Sequence, residues 1–141
     1  MYSNHTSIEL EFSHQEEWTT DNGSIIHFKF KGIYPPGSQG NPTASQMIEY
    51  IEKVLTNYNC IGVIFNLLEL DYVYGDAICG IVKPLWTDKG ITPSCIIAKG
   101  KTAMAIEPLL GSHFLLGLAG CKLFRSYEDG IYYLKSLTIS T

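Results

Sequence analysis

The run Cys-Ile-Gly-Val-Ile-Phe-Asn-Leu-Leu at residues 60–68 is apolar almost throughout, with no alternation of polar and apolar positions. A strand that is apolar on both sides must lie inside a sheet covered on both faces, the situation of central strands in sheets with parallel members. Parallel neighbours require long crossover connections, normally helices. The segment upstream supplies one. Thr43-Ala-Ser-Gln46 has the form of a capping box, and Ala44, Met47, Ile48, Ile51, Val54, Leu55 and Tyr58 then recur at helical spacing. A helix starting near 43 is expected to lead into a buried strand.

Two earlier segments follow a different period. Residues 7–12 place Ile8, Leu10 and Phe12 on one face and Glu9 and Glu11 on the other. Residues 24–31 set Ile26, Phe28 and Phe30 against His27, Lys29 and Lys31. Strict alternation predicts strands with one buried face, and antiparallel pairing would bring the glutamates near the lysines. Asn22-Gly23 is a tight-turn signal, although 13–21 is long for a simple hairpin. His27, on the lysine face, reads as a partly exposed strand residue, neither ligand nor base. The Pro/Gly-dense stretch 32–42 reads as a mobile surface loop; Pro35 and Pro36 remove donors that a phosphate cradle needs.

Beyond the central run, Ile78, Ile81, Val82, Leu85 and Trp86 predict an amphipathic helix bent by Pro84 and ended by Gly90. Residues 94–98 form a short buried strand. Residues 102–118, interrupted by Pro108, Gly111 and Gly117, predict a short or kinked helix. Residues 122–126 read as an edge strand, and Ser126-Tyr-Glu-Asp129 has the form of a cap with acids in the first turn of a terminal helix. The expectation is one α/β domain over 1–141, with a mixed sheet of about five strands, a parallel central part and about four packing helices.

Composition narrows the function. The 141 residues are 45% hydrophobic and 17% charged, enough apolar material for a sizeable core. A net charge of -4 and ten scattered Lys and Arg argue against nucleic acid. No apolar stretch is long enough to span a membrane, and the first residues lack the parts of a signal peptide, so a soluble, cytoplasmic protein is expected. Cys60, Cys79, Cys95 and Cys121 lie far apart, and the four histidines have no metal-binding spacing; neither metal nor cofactor is expected. An enzyme could be assembled from Asp71 or Asp76 with His113, but no nucleophile motif accompanies them, and catalysis is not expected.

The segment 67–82 carries Asp71 and Asp76 at a strand-to-helix junction. Asp76, ahead of the apolar-periodic run, is explained as a helix cap worth about 1 kcal/mol, and Asp71 as a turn residue. Loops at the carboxyl ends of strands are also where such sheets meet ligands and partners. Asp71, Tyr72, Tyr74, Gly75 and Asp76 are therefore the candidate binding residues.

The order β-β-α-β-α-β-α-β-α resembles the STAS domain family of anti-sigma-factor antagonists and sulfate-transporter tails. Gly-Val-Ile-Phe-Asn-Leu-Leu-Glu-Leu-Asp-Tyr-Val-Tyr-Gly-Asp-Ala-Ile (62–78) resembles the family's strand, acidic loop and helix start. Residues 115–124 look like its leucine-rich helix and final strand, and residues 126–137 like its closing helix. The resemblance implies a bacterial signalling module that binds a protein, such as an anti-sigma-type kinase or related regulator. It also places Asp76 where the family has its phosphorylatable serine and Tyr74 where it has aspartate. No serine or threonine occurs from 59 to 86, which implies a permanent carboxylate in place of a kinase-controlled switch. Asn66 stands where the family commonly has aspartate. The alternative is a dedicated binding protein, such as an acidic immunity protein that inhibits a basic partner, with tyrosines enriched at its interface.

Overall fold

Pairing of the alternating segments with the apolar run builds the sheet. The computed structural model describes residues 5–6 and 10–139. In chain order the elements are β1 (His5–Thr6), β2 (Leu10–Thr20), β3 (Gly23–Ile33), α1 (Asn41–Leu55), β4 (Cys60–Asn66), β5 (Leu70–Asp71), a 3-10 helix (Asp76–Leu85), β6 (Trp86–Thr87), β7 (Gly90–Ile91), β8 (Ser94–Ile97), α2 (Gly100–Ile106), α3 (Leu115–Leu118), β9 (Lys122–Phe124) and α4 (Tyr127–Ile139). Short 3-10 turns occupy Gly37–Gly40 and Glu107–Leu110. The sheet order is β1-β2-β3-β4-β8-β9, with β5 attached to β3. β3, β4, β8 and β9 run parallel, while β2 pairs antiparallel with both β1 and β3. β6 and β7 form a separate two-stranded ribbon.

The expected mixed sheet is present, and β4 is interior, parallel to both β3 and β8. Its side chains divide between two cores. Val63 and Phe65 join Phe12, Ile26, Phe28 and Phe30 under α1, the 3-10 helix Asp76–Leu85, α2 and α3. Ile64 points the other way, into a smaller cluster with Ile25, Cys95, Ile97 and Leu134 beneath α4. Glu11 pairs with Lys31 across β2 and β3, as the charge pattern predicted.

Several boundaries differ from the sequence reading, each for a local reason. Ser7, Ile8 and Glu9 of the first predicted strand lie outside the described residues. From Leu10 that strand runs on to Thr20, so the long connection at 13–21 is strand, closed by the two-residue turn Asp21-Asn22. Helix α1 has no capping box: its cap position is Gly40, without a side-chain hydrogen bond, and Pro42 starts the helix instead. The helix expected from near 76 does start at Asp76, but it is a 3-10 helix that ends at Leu85, before the ribbon Trp86–Ile91, so Gly90 turns a hairpin and ends no helix. The cap at Ser126 is present; its Oγ accepts from the Asp129 N–H at 3.2 Å.

Candidate functional site

The parallel strands all point their carboxyl ends at one rim, and two loops meet there. After β4 ends, Leu70 and Asp71 pair with Gly32 and Ile33, extending β3 outwards. The loop that follows is laced to the Pro/Gly loop after β3. The Tyr34 N–H donates to the Asp71 carbonyl at 2.9 Å, and the Gly37 N–H donates to the Tyr74 carbonyl at 3.1 Å. The Pro/Gly loop, expected to be a mobile surface connection, is therefore a brace for residues 71–75.

A third support comes from below. Thr102 on α2 donates its hydroxyl to the Leu70 carbonyl at 2.6 Å and accepts from the Tyr72 N–H at 3.3 Å. Tyr72 is buried, and its hydroxyl donates to the Gly75 carbonyl at 2.8 Å. Its ring meets Tyr34 edge-on, centroids 5.3 Å apart. Burial raises both phenols, Tyr34 to about 12, so both stay neutral. Cys79 lies beneath the same loop, its thiol pushed up to about 11 by burial, which keeps it un-ionised and poorly reactive. Gly75 has φ of +123°, and a Cβ there would stand 3.0 Å from the Gly37 carbonyl oxygen. The close approach of the two loops requires glycine at this point.

What this frame presents to solvent is mixed. Val73 and Tyr74 are 62% and 59% exposed, Ile33 beside them is 56% exposed, and the carboxylates of Asp71 and Asp76 are exposed as well. Apolar groups held out on a braced loop between two acids can seat a partner bearing apolar and basic groups. Of the five candidate residues, Asp71, Tyr74 and Asp76 face outwards, while Tyr72 and Gly75 hold the loop's shape. Asp76 is not the cap it was expected to be. Gly75 occupies the cap position, no side-chain cap bond forms, and Asp76 sits in the first turn with its carboxylate in water. Sequence reasoning missed Ile33, Val73 and Thr102. The signal for Ile33 was present, as an apolar residue just past the end of an alternating strand.

A cleft of about 630 Å³ lies at the opposite rim, lined by the ribbon Trp86–Ile91, the end of α1 and the start of β4. Its charges are mixed, Glu52 and Asp88 against Lys83 and Lys89. Among the described residues no group of three or more His, Cys, Asp or Glu is placed to hold a metal ion, and no helix is long and apolar enough to cross a membrane.

With its mixed sheet parallel at the centre, its crossover helices and its closing helix α4, the chain has a STAS-like α/β fold. It is similar to an anti-sigma factor antagonist from Mycobacterium paratuberculosis, with a TM-score of 0.57, 16% identity, and coverage of 88% of this chain and 94% of that one. A second similar structure is the anti-sigma factor antagonist SpoIIAA in its unphosphorylated form, with a TM-score of 0.47, 14% identity, and coverage of 83% and 92%. No family model and no curated protein matches the sequence.

Proposed function

We propose that this chain is a single-domain, non-enzymatic regulatory module that works in the bacterial cytoplasm by binding a protein. The docking surface is the loop 71–76 with Ile33, and the partner is an anti-sigma-type kinase or a related regulator. The observation that carries this reading is the exposed Val73-Tyr74 pair, flanked by Asp71 and Asp76 on a loop braced from two sides. A preorganised loop loses little conformational freedom on binding, which favours recognition of a partner over disorder. The fold shared with an anti-sigma factor antagonist supports the choice of partner class.

In this reading Asp76 is a fixed signal. Its carboxylate carries about one negative charge where a phosphoserine carries nearly two, and no hydroxyl of serine or threonine is available from 59 to 86 for a kinase to modify. The module is then set by its abundance, and by whatever alters the loop, instead of by serine phosphorylation. Affinity capture on the immobilised chain from a lysate of its host, followed by titration of the captured protein in purified form, tests this. A kinase or sigma-pathway regulator binding saturably is the expected result. A basic toxin in its place would establish the inhibitor reading, and phosphate mapped to residues 70–80 after incubation with ATP would overturn the fixed-signal part.

A further inference from the structure

Three polar side chains from three strands meet on the small face of the sheet, next to the turn that leads into the candidate loop. The Leu68 N–H lies 3.0 Å from Asn66 Oδ1. A backbone N–H can only donate, so the oxygen of that amide must face it, and the amide's NH2 must face the other way. It faces His27 Nε2, at 3.1 Å. The NH2 can only donate, so Nε2 carries the lone pair and the ring proton sits on Nδ1. Nδ1 in turn points at Glu17 Oε1, 3.2 Å away. Glu17 reaches this position because it is the extra residue of a bulge in β2, between the register pairs of Glu16 and Trp18. Tyr127 of α4 closes the group, its ring centroid 5.2 Å from that of His27. One tautomer of a neutral imidazole satisfies every partner.

A second ring proton breaks the arrangement. An Nε2–H would face the Asn66 NH2, donor against donor. Flipping the amide would satisfy the ring but set the NH2 against the Leu68 N–H, so the conflict moves without being removed. We propose that His27 is a proton sensor for the turn 66–70, and that its protonation releases the Leu68 amide and loosens the support of the loop 71–76. The ends of the turn stay held by the Leu67 N–H on the Ile97 carbonyl at 2.8 Å, the Thr102 hydroxyl on the Leu70 carbonyl at 2.6 Å and the Lys29–Glu69 ion pair. The Leu70 and Gly32 N–H groups also stay on the Leu67 and Glu69 carbonyls at 3.1 Å, so the loosening is centred on Leu68.

The charges around His27 are Glu17 from β2 and Lys29 on its own strand; Asn66 from β4 and Tyr127 from α4 are neutral, with Glu128 next along α4. Burial lowers the pKa of His27 below its ordinary 6.5, and the opposing pull of Glu17 does not restore it. Burial also works against an ionised Glu17, but its hydrogen-bonding neighbours Tyr127, Gln15 and His27 hold it below the ordinary carboxylate value, so it stays charged. The sensor therefore acts on the acid side of 6.5.

The meaning of this device for partner binding rests on the proposed function, but the sensing does not, and its test needs no partner. NMR titration from about pH 8 to pH 5 would follow the His27 ring nitrogens together with the exchange protection of the Leu68 amide, corrected for intrinsic exchange. At the alkaline end Nδ1 is expected to be the protonated nitrogen. As the ring takes up its second proton, Leu68 protection is expected to drop on the order of tenfold, the scale set by a buried donor losing its partner. In Asn66→Asp a carboxylate can accept from both the ring and the Leu68 N–H, so the ring pKa rises and Leu68 stays protected in acid. His27→Gln, which does not titrate, should give Leu68 protection that is flat with pH. A ring that titrates while Leu68 is unchanged would overturn the proposal, as would a proton on Nε2 at the alkaline end or pH-dependent Leu68 protection in His27→Gln.

Discussion

Both rims of the sheet expose apolar side chains, more fully at the carboxyl rim, and hold them in different ways. At the carboxyl rim, Ile33, Val73 and Tyr74 sit on loops tied to each other, to α2 and to a buried tyrosine. At the amino rim, Trp86 and Ile91 sit on a ribbon of two residue pairs, tied back by the Thr92 N–H to the Leu85 carbonyl at 2.9 Å. The first rim presents Asp71 and Asp76 on a braced loop; the second is mixed in charge and borders an open cleft. Cavity size alone would favour the second as a site. Preorganisation favours the first, because a held surface keeps more of its contact energy for a partner.

The largest effect that separates the rims is expected from Tyr72→Ala. It removes a buried ring together with the hydroxyl that holds Gly75, so a loss of about 3–5 kcal/mol in chemical denaturation is expected. Trp86, partly exposed, should cost far less when truncated. A smaller but cleaner contrast lies in two glycines with nearly the same backbone, Gly75 at φ +123° and Gly90 at φ +120°. Alanine is strained at both, by roughly 1–3 kcal/mol. At Gly75 the new Cβ also presses on the Gly37 carbonyl, whereas at Gly90 it meets nothing within 4 Å. Gly75→Ala should therefore lower the melting temperature more than Gly90→Ala. Equal losses would mean the carboxyl rim is no more tightly held than the ribbon.

How far these features could be read from the sequence depended on how local their causes are. The apolar run at 60–68 and the alternation at 24–31 announce a buried strand and its neighbour, because burial on a sheet face repeats every second residue. Residues 13–20 carry no such alternation, since none of them is fully buried on either side and a bulge at Glu17 shifts the phase; their strand was not legible. The expected caps at Thr43 and Asp76 failed for a shared reason. A neighbouring residue, Pro42 in one case and Gly75 in the other, has backbone needs that set the helix start. In the candidate site the loop itself was legible from its two aspartates, but its supports were not, because Thr102 and Gly37 lie 30 or more positions from what they hold. The group of Glu17, His27 and Asn66 is the extreme case, since it exists only once three strands are in register.

Acid should act unevenly on the two rims. His14 and His27 both hold pKa values below 6.5 in the fold, each through burial. The unfolded chain then binds more protons than the native one, so stability is complete above pH 6.5 and falls as the pH drops through the folded values. His27 bonds Asn66, the last residue of β4 before the carboxyl rim, whereas no histidine lines the cleft at the amino rim. Amide exchange in mild acid should therefore rise at Leu68 before it rises at Thr92. The same onset at both would mean global destabilisation with no local weak point.

Paired variants at the two rims decide which of them meets the partner. Tyr74 and Asp76 are exposed and contribute little to packing, so Tyr74→Ala and Asp76→Asn should change stability by no more than about 0.5 kcal/mol. Against the captured partner, titrated by calorimetry, each is expected to weaken binding by roughly tenfold or more. Trp86→Ala and Ile91→Ser should leave the affinity as it is. Full affinity in the loop variants, with loss in the ribbon variants, would move the working surface to the opposite end of the sheet and contradict the account.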